Sequence, residues 1–167
     1  MAYARFSTHA TTPAVLSPID ETALLAQARA LQRDAAAGRA QPLLRGKNLG
    51  LLCADDMQAP ALLFRQAASG LGAHVAHIGM SLSEHSSVQE VTHTARMLGR
   101  LYDAVECHGL SVALVQRMAE LAGIAVYDGQ TTNEPLLTWL AAQLGSASDL
   151  SRNRCFALQA LLLRTVE

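Results

Sequence analysis

A regular alternation of short apolar runs and helical stretches after Gly46 is the feature that most constrains the fold. The apolar runs predict strands at residues 49–53, 74–78, 104–107 and 125–127. The stretches that follow them predict helices at residues 60–69, 88–101, 111–122 and 134–144. Four strand–helix units in succession are typical of a parallel sheet with helices on both faces. We therefore predict a three-layer α/β domain with a four-stranded parallel sheet.

Further helices are expected on either side of this alternation. Residues 17–20 predict a helix start, because a serine can cap, a proline suits the first turn and an aspartate complements the helix dipole. This helix is expected to end by Gly38, and residues 1–16 before it to form a flexible arm. An amphipathic helix over residues 153–166 is expected to close a single domain that spans residues 17–167. One face of that closing helix is expected to carry Phe156, Ala160 and Leu163, with Leu162 alongside.

Composition excludes several classes of protein. Half of the 167 residues are hydrophobic, which is enough for one core, and the net charge is −1. Basic residues form no stripe and do not alternate with aromatic ones, so no nucleic-acid partner is expected. No apolar run reaches the length of a membrane span, and residues 1–13 lack the apolar region of a signal peptide. Three scattered cysteines are typical of a reduced protein, which predicts a cytoplasmic location.

Ligands of open parallel sheets bind beyond the carboxyl ends of the strands, so any site is expected there. In this sequence, those ends are residues 53–58, 79–85, 107–109 and 128–134.

Several segments resemble the ornithine carbamoyltransferases. Residues 44–49 (LRGKNL) resemble the family's entry to its first strand, and residues 121–129 (LAGIAVYDG) resemble a later helix-to-strand turn. Residues 94–103 (TARMLGRLYD) are very similar to a helix and the start of the strand after it, and they carry the assignment. The resemblance covers residues 19–144 and implies the fold of the family's N-terminal domain, which binds carbamoyl phosphate.

The end of the chain extends this resemblance. Asn153 and Arg154, followed by residues 160–162, resemble the family's closing helix. In the family, that helix follows a second domain that binds the amino-acid substrate and packs back on the first domain. Here it follows the first domain after a short linker, so the resemblance implies that the second domain, with its substrate site, is missing.

The family's phosphate-binding motif is replaced in this chain. Its Ser-Thr-Arg-Thr-Arg run, at the start of the helix after the first strand, falls on residues 57–61 (MQAPA). Every hydroxyl and guanidinium group of the motif is lost, and Pro60 lacks a backbone N–H donor. Asp55 and Asp56 directly precede the run and would repel an anion. The sequence therefore predicts that this helix start does not hold carbamoyl phosphate.

Other positions of the family's site have also changed. The family's arginine after the third strand, which polarises the carbamoyl group, corresponds to His108. Its His-Pro-x-Gln motif falls on residues 134–137, where only the proline is kept, and its lysine-bearing loop falls on residues 83–87. Arg154 alone matches a family residue that contacts carbamoyl phosphate. It can be a surviving ligand or an anchor of the closing helix, and we favour the anchor.

Two further clusters have a functional and a structural interpretation. Cys107 and His108, near Cys53, could form a metal or thiol site, but adjacent strand residues point to opposite faces, so polar rim residues and buried thiols are expected. The same interpretation applies to His74 and His77. A second cluster could serve acid–base chemistry or bind a cation, although such residues more often cap helices and solvate loops; it comprises Asp55, Asp56 and Glu84.

The remaining conspicuous residues are expected to be structural. Arg96 and Arg100 match the family and are expected to serve folding or subunit contacts, and Trp139 is expected in the core. No catalytic residue, metal or cofactor is predicted.

Three functions follow from these observations. The first is a non-catalytic family member that acts by oligomerisation or by binding a partner, such as a complete carbamoyltransferase. The second is a module that binds a small neutral or cationic ligand in the remodelled crevice, through Asp56, Gln58, His108 and Thr138, with Arg154 as a further candidate ligand residue. The third is a transferase subunit that another chain completes. The resemblance also implies a homo-oligomer, with a trimer expected before a dimer.

Overall fold

The computed structural model of the chain describes residues 18–129, 134–145 and 149–166. Within these ranges, the strands are β1 (Asn48–Leu52), β2 (His74–Ile78), β3 (Ala104–Cys107) and β4 (Ala125–Asp128). The helices are α1 (Pro18–Ala36), α2 (Ala59–Gly70), α3 (Val88–Leu101), α4 (Val112–Ala122), α5 (Glu134–Gln143) and α6 (Leu150–Thr165). Among these helices, none is both long and apolar enough to cross a membrane.

All four strands are parallel and lie in the order β2-β1-β3-β4. Side chains alternate across the sheet, so Leu49 and Leu51 of β1 face one core while Leu52 faces the other. The first core is closed by α1, α2, α5 and α6, and the second by α3 and α4. The predicted three-layer α/β domain is confirmed, and the carboxyl ends of the strands lie along one edge of the sheet.

Local signals set the element boundaries. The bounds of β2, α3 and β3 are those predicted, whereas β1 begins and ends one residue earlier. Ser87 caps α3 in a capping box with Glu90, and the hydroxyl of Ser111 caps α4 by accepting a bond from Leu114 N. The predicted cap of α1, Ser17, lies outside the described residues.

The closing helix α6 is buried on more than one face, whereas an amphipathic helix is buried on one face only. All six residues from Cys155 to Ala160 are buried, whereas Leu163, expected on the apolar face, is only partly buried. The predicted apolar residues do face the core, since Phe156, Ala160 and Leu162 are buried and Leu163 packs against it. The buried surface is wider than one face because α6 packs against α1, α2 and α5 at once. Its polar residues have partners inside the core: Gln159 Nε2 donates to Ala67 O at 3.1 Å, and Asn153 Oδ1 accepts from Gln32 Nε2 at 3.0 Å.

Trp139 is not in the core, contrary to the prediction. It is 39% exposed on α5. The buried residues of this segment follow helical spacing, at Leu137, Leu140, Ala141 and Leu144, and Trp139 lies on the other side of the helix.

The segment that most resembles the family, Thr94–Asp103, holds several parts of the fold together; we call it the framework block. A Cβ atom on Gly99 would lie 2.0 Å from Ala122 O, so a glycine is required where α3 approaches the end of α4. Asp103 Oδ2 accepts a hydrogen bond from Asn48 N at 2.7 Å, and Asp103 Oδ1 pairs with Lys47 Nζ at 3.5 Å. These contacts tie α3 and β3 to the beginning of β1.

Candidate functional site

The carboxyl ends of β1, β3 and β4 meet at the edge of the sheet where a ligand site was predicted. Leu52 is paired in register with Cys107, and Cys107 with Asp128. His108 N continues the pairing by donating to Leu52 O at 2.9 Å. We call this edge, together with the start of α2, the strand-end crevice.

The turn between β1 and α2, residues 53–58, is short and mostly exposed. Cys53 is buried at its beginning, and Cys53 N donates to Ile78 O at 3.2 Å. Asp55 Oδ1 accepts from Met57 N at 2.9 Å, which closes the turn locally. Of the residues after Cys53 in this turn, Asp56 alone is partly buried.

Asp56 is engaged by two basic side chains of its own chain. The Arg65 guanidinium, from α2, donates a hydrogen bond to Asp56 Oδ2, and His77 Nδ1 lies 3.8 Å from the same oxygen. The hydrogen bond from Arg65 lowers the pKa of Asp56 below its ordinary value. His77 is itself positioned by Cys53 O, which lies 3.0 Å from its Nε2. A cationic ligand at Asp56 would therefore compete with Arg65.

The start of α2 offers few donors to an anion. Gln58 occupies the N-cap position in an extended conformation, but its side chain makes no capping hydrogen bond. Met57, Gln58, Ala59 and Pro60 are exposed, whereas Ala61, at the motif's last arginine position, is buried. Hydroxyl and guanidinium groups are absent from residues 57–61, and the proline removes one backbone N–H.

A buried acid lies behind the end of β3. Glu106 is fully buried, and its Oε1 lies 3.3 Å from His108 Nε2. Burial lowers the pKa of His108, while the nearby Asp128 carboxylate opposes that shift. A Cβ atom on residue 129 would lie 2.1 Å from His108 Nδ1, so Gly129 leaves the space that this imidazole occupies.

The other predicted ligand residues come from two helices. Thr138 is exposed on α5, and Arg154 is half-buried on α6. These helices pack against each other in the layer that also contains α2. Gln58 instead lies at the start of α2, and His108 directly follows the end of β3. Binding of a ligand by these residues and by Asp56 stays a prediction.

Several residues of the crevice were missed or undervalued from sequence. Glu106 had a usable signal, since an acid inside the apolar run of β3 indicates a buried carboxylate. Arg65 had none, because its contact with Asp56 depends on how the turn folds back on α2. His77 was interpreted as a rim residue, and its contacts show that it supports this turn.

All three cysteines are buried free thiols, as was expected of Cys53 and Cys107. Burial raises the pKa of Cys155 to about 11, and it also raises the pKa of Cys107. In the described part of the chain, no group of three His, Cys, Asp or Glu residues could hold a metal ion.

Comparison with known protein sequences shows which family this chain resembles. The sequence pattern of the aspartate/ornithine carbamoyltransferase carbamoyl-P binding domain matches residues 8–141. The ornithine carbamoyltransferase of Cutibacterium acnes is 39% identical over 94 residues, which cover 56% of this chain and 28% of that protein. The ornithine carbamoyltransferase of Actinobacillus pleuropneumoniae is 38% identical over 108 residues, which cover 65% of this chain and 32% of that protein. The chain thus spans less than a third of the length of these relatives.

Solved structures show the same fold. The anabolic ornithine carbamoyltransferase of Campylobacter jejuni superposes with a TM-score of 0.68 at 18% identity, covering 82% of this chain and 45% of that one. A catalytic subunit of M. jannaschii aspartate transcarbamoylase gives a TM-score of 0.65 at 18% identity, covering 83% and 46%. The parallel sheet, its order of helices and the sequence match over residues 8–141 together establish that this chain belongs to the aspartate/ornithine carbamoyltransferase family.

Proposed function

We propose that this chain does not bind carbamoyl phosphate at the start of α2 and acts by associating with other protein chains. One observation carries the proposal: residues 57–61 present neither a hydroxyl nor a guanidinium group where the family's motif has five such side chains. A structural neighbour, an N-acetyl-L-ornithine transcarbamylase, is known in complex with carbamyl phosphate and shares this fold with a TM-score of 0.64. The difference therefore concerns the side chains of the site and not the backbone architecture.

Electrostatics supports the same conclusion. Each charge-assisted hydrogen bond to an anion contributes roughly 1.5–3 kcal/mol, so losing two guanidinium groups removes most of the attraction that such a site needs. Arg65 does not replace them, because its guanidinium group already bonds Asp56. The exposed carboxylate of Asp55 adds repulsion at the same turn.

A second candidate function uses the strand-end crevice for a small neutral or cationic ligand. The observation that favours it is the acidic character of the crevice, where Glu106 and Asp128 are buried close to His108. Gln58 and Thr138 are exposed and would supply further polar groups. A thermal-shift screen of uncharged and cationic metabolites separates this candidate from the first, since a uniformly flat result counts against a ligand.

A third candidate is a transferase subunit that another chain completes. Arg154 is the residue on which it depends, because it alone matches a family contact to carbamoyl phosphate. Carbamoyl transfer would then appear only on mixing with a complete carbamoyltransferase, and Arg154→Ala would abolish the added activity.

The main proposal is tested by titrating carbamoyl phosphate into the purified chain and following heat and melting temperature. We expect no saturable binding. The matched control rebuilds the motif at exposed positions only, through Met57→Ser, Gln58→Thr, Ala59→Arg and Pro60→Thr. Ala61 is left unchanged because it is 2% exposed and an arginine there would disrupt the core. A gain of binding by the rebuilt chain supports the proposal, whereas saturable binding by the natural chain contradicts it.

A further inference from the structure

We infer that Arg65 and His77 form a binding site for a small oxyanion, a carboxylate or a phosphate, and that the Asp56 carboxylate occupies this site as an internal ligand. We call it the Arg65–His77 site. The inference deepens the proposed function and rests on it, because it names the group that keeps the remaining basic side chains of the β1–α2 turn from an external anion.

Arg65 carries the main positive charge of the site. It lies in the second turn of α2, and because the Cα–Cβ bonds of a helix tilt towards its N-terminus, its side chain can reach back over the first turn. Its guanidinium group donates to Asp56 Oδ2, nine positions earlier in the sequence. Within the described residues, Asp56 is the one carboxylate that pairs with it. A guanidinium group binds carboxylates and phosphates alike, because its planar donors match two oxygens of either group.

His77 supplies a second basic group for the same oxygen. It belongs to the edge strand β2, and its Nδ1 lies 3.8 Å from Asp56 Oδ2. Its Nε2 lies 3.0 Å from Cys53 O, and since a carbonyl oxygen only accepts, Nε2 carries a hydrogen. Nδ1 therefore faces the carboxylate and becomes a donor when the imidazole is protonated. A helix and an edge strand thus direct basic groups at one carboxylate oxygen.

The Arg65–His77 site is open to solvent. The side chains of Arg65, His77 and Asp56 are 35%, 37% and 25% exposed. An anion in solution can therefore reach both basic groups once the carboxylate is removed. A fully buried pair would offer no such access.

Asp56 is a strong competitor because it belongs to the same chain. A tethered group acts at an effective concentration on the order of millimolar or higher, and an external anion must reach that level to displace it. The hydrogen bond from Arg65 lowers the pKa of Asp56, so the carboxylate stays ionised at neutral pH and the site stays occupied. Asp55, in the same turn, accepts from Met57 N and does not engage Arg65.

Truncation of the internal ligand tests the inference on the whole chain. Asp56→Ala removes the carboxylate and leaves room for an external one, so acetate is the first probe and inorganic phosphate the second. We expect acetate to bind Asp56→Ala roughly tenfold more tightly than the natural chain, which is the factor that one charge-assisted hydrogen bond supplies. Binding is followed by NMR shifts of the Arg65 side chain, with sodium chloride holding the ionic strength constant.

Three further variants keep the experiment interpretable. Asp55→Ala is the matched control: it removes the same charge from the same turn without releasing Arg65, so no gain of acetate binding is expected. Adding Arg65→Gln to Asp56→Ala should abolish the gain. If Asp56→Ala does not fold, Asp56→Asn removes the charge and keeps the size, and acetate should still bind it more tightly than the natural chain.

The outcomes separate this inference from the proposed function. Equal acetate binding by the natural chain and by the folded Asp56 variant overturns the inference, as does a gain that survives Arg65→Gln. In both cases Arg65 only fastens the turn, and the proposed function is unaffected. Saturable binding of carbamoyl phosphate by the natural chain instead contradicts the proposed function, whatever acetate does to the variants.

Discussion

Two segments of this domain, the framework block and the β1–α2 turn, have diverged from the family to very different extents. The framework block, Thr94–Asp103, closely resembles the family's sequence, and its residues set the approach of α3 to α4 and the start of β1. The turn and the first residues of α2 keep none of the motif's polar groups, although the backbone still forms a strand, a turn and a helix.

This difference is expected if ligand binding and folding depend on separate residues. Gly99 and Asp103 act on backbone atoms elsewhere in the domain, so replacing them changes the packing of whole elements. Residues 57–60 are exposed, and apart from the helix-cap position Gln58, exposed substitutions of this kind usually change stability by less than about 0.5 kcal/mol. A binding motif on such residues can be lost while the fold persists.

The largest effect is expected in the framework block, from Gly99→Ala. The new methyl group would lie 2.0 Å from Ala122 O, so α3 and α4 must move apart. We expect a loss of about 3 kcal/mol in the free energy of unfolding, or failure to fold, despite the better helix propensity of alanine. Gly79→Ala is the matched control, since a Cβ atom there meets nothing within 4 Å. Urea unfolding measures the stability of both variants. An unchanged stability of Gly99→Ala would contradict the view that the framework block sets the packing of α3 on α4.

An intermediate effect is expected from the helix caps, where the two segments also differ. Ser87 caps α3 through its hydroxyl, whereas Gln58 starts α2 without a side-chain bond although its backbone is extended as a cap requires. Ser87→Ala should destabilise the domain by about 1 kcal/mol, and Gln58→Ser should stabilise it by a comparable amount. Gln58→Ala serves as the control and should be neutral. Loss of stability in Gln58→Ser would show that the turn constrains this position in another way.

Much of the fold was predictable because its signals are local. The start of α3 follows from a capping box within four residues, and β2 and β3 follow from short apolar runs. The burial of α6 was not predictable in this way, because the helix is covered by three others, two of which, α1 and α2, are distant in sequence. Trp139 was misplaced for a related reason: in a short apolar helix, composition does not determine which side faces the core.

The polar groups that the candidate site lacks were predictable from the sequence, whereas the contacts that its residues make were not. The missing hydroxyls and guanidinium groups of residues 57–61 can be read directly from the sequence. The pairing of Asp56 with Arg65 cannot, since the two residues are brought together by the path of the turn. The sequence therefore predicts which ligand the helix start does not hold, whereas the structure shows that Arg65 forms a hydrogen bond with Asp56.

The smallest effect is expected from that pair, and it should depend on pH. Arg65 lowers the pKa of Asp56, so the folded chain binds its proton less tightly than the unfolded chain, where an aspartate has a pKa of about 3.9. The pair therefore stabilises the fold above about pH 4, and this contribution disappears as the pH falls through the lower, folded value. Asp56→Asn should lower the urea midpoint slightly at pH 7 and leave it unchanged near pH 2, because partly exposed ion pairs contribute little. Arg65→Gln should reproduce this pH dependence, and the double variant should add no further loss. A difference from the natural chain that persists unchanged at low pH would show that Asp56 supports the turn through its shape and not its charge.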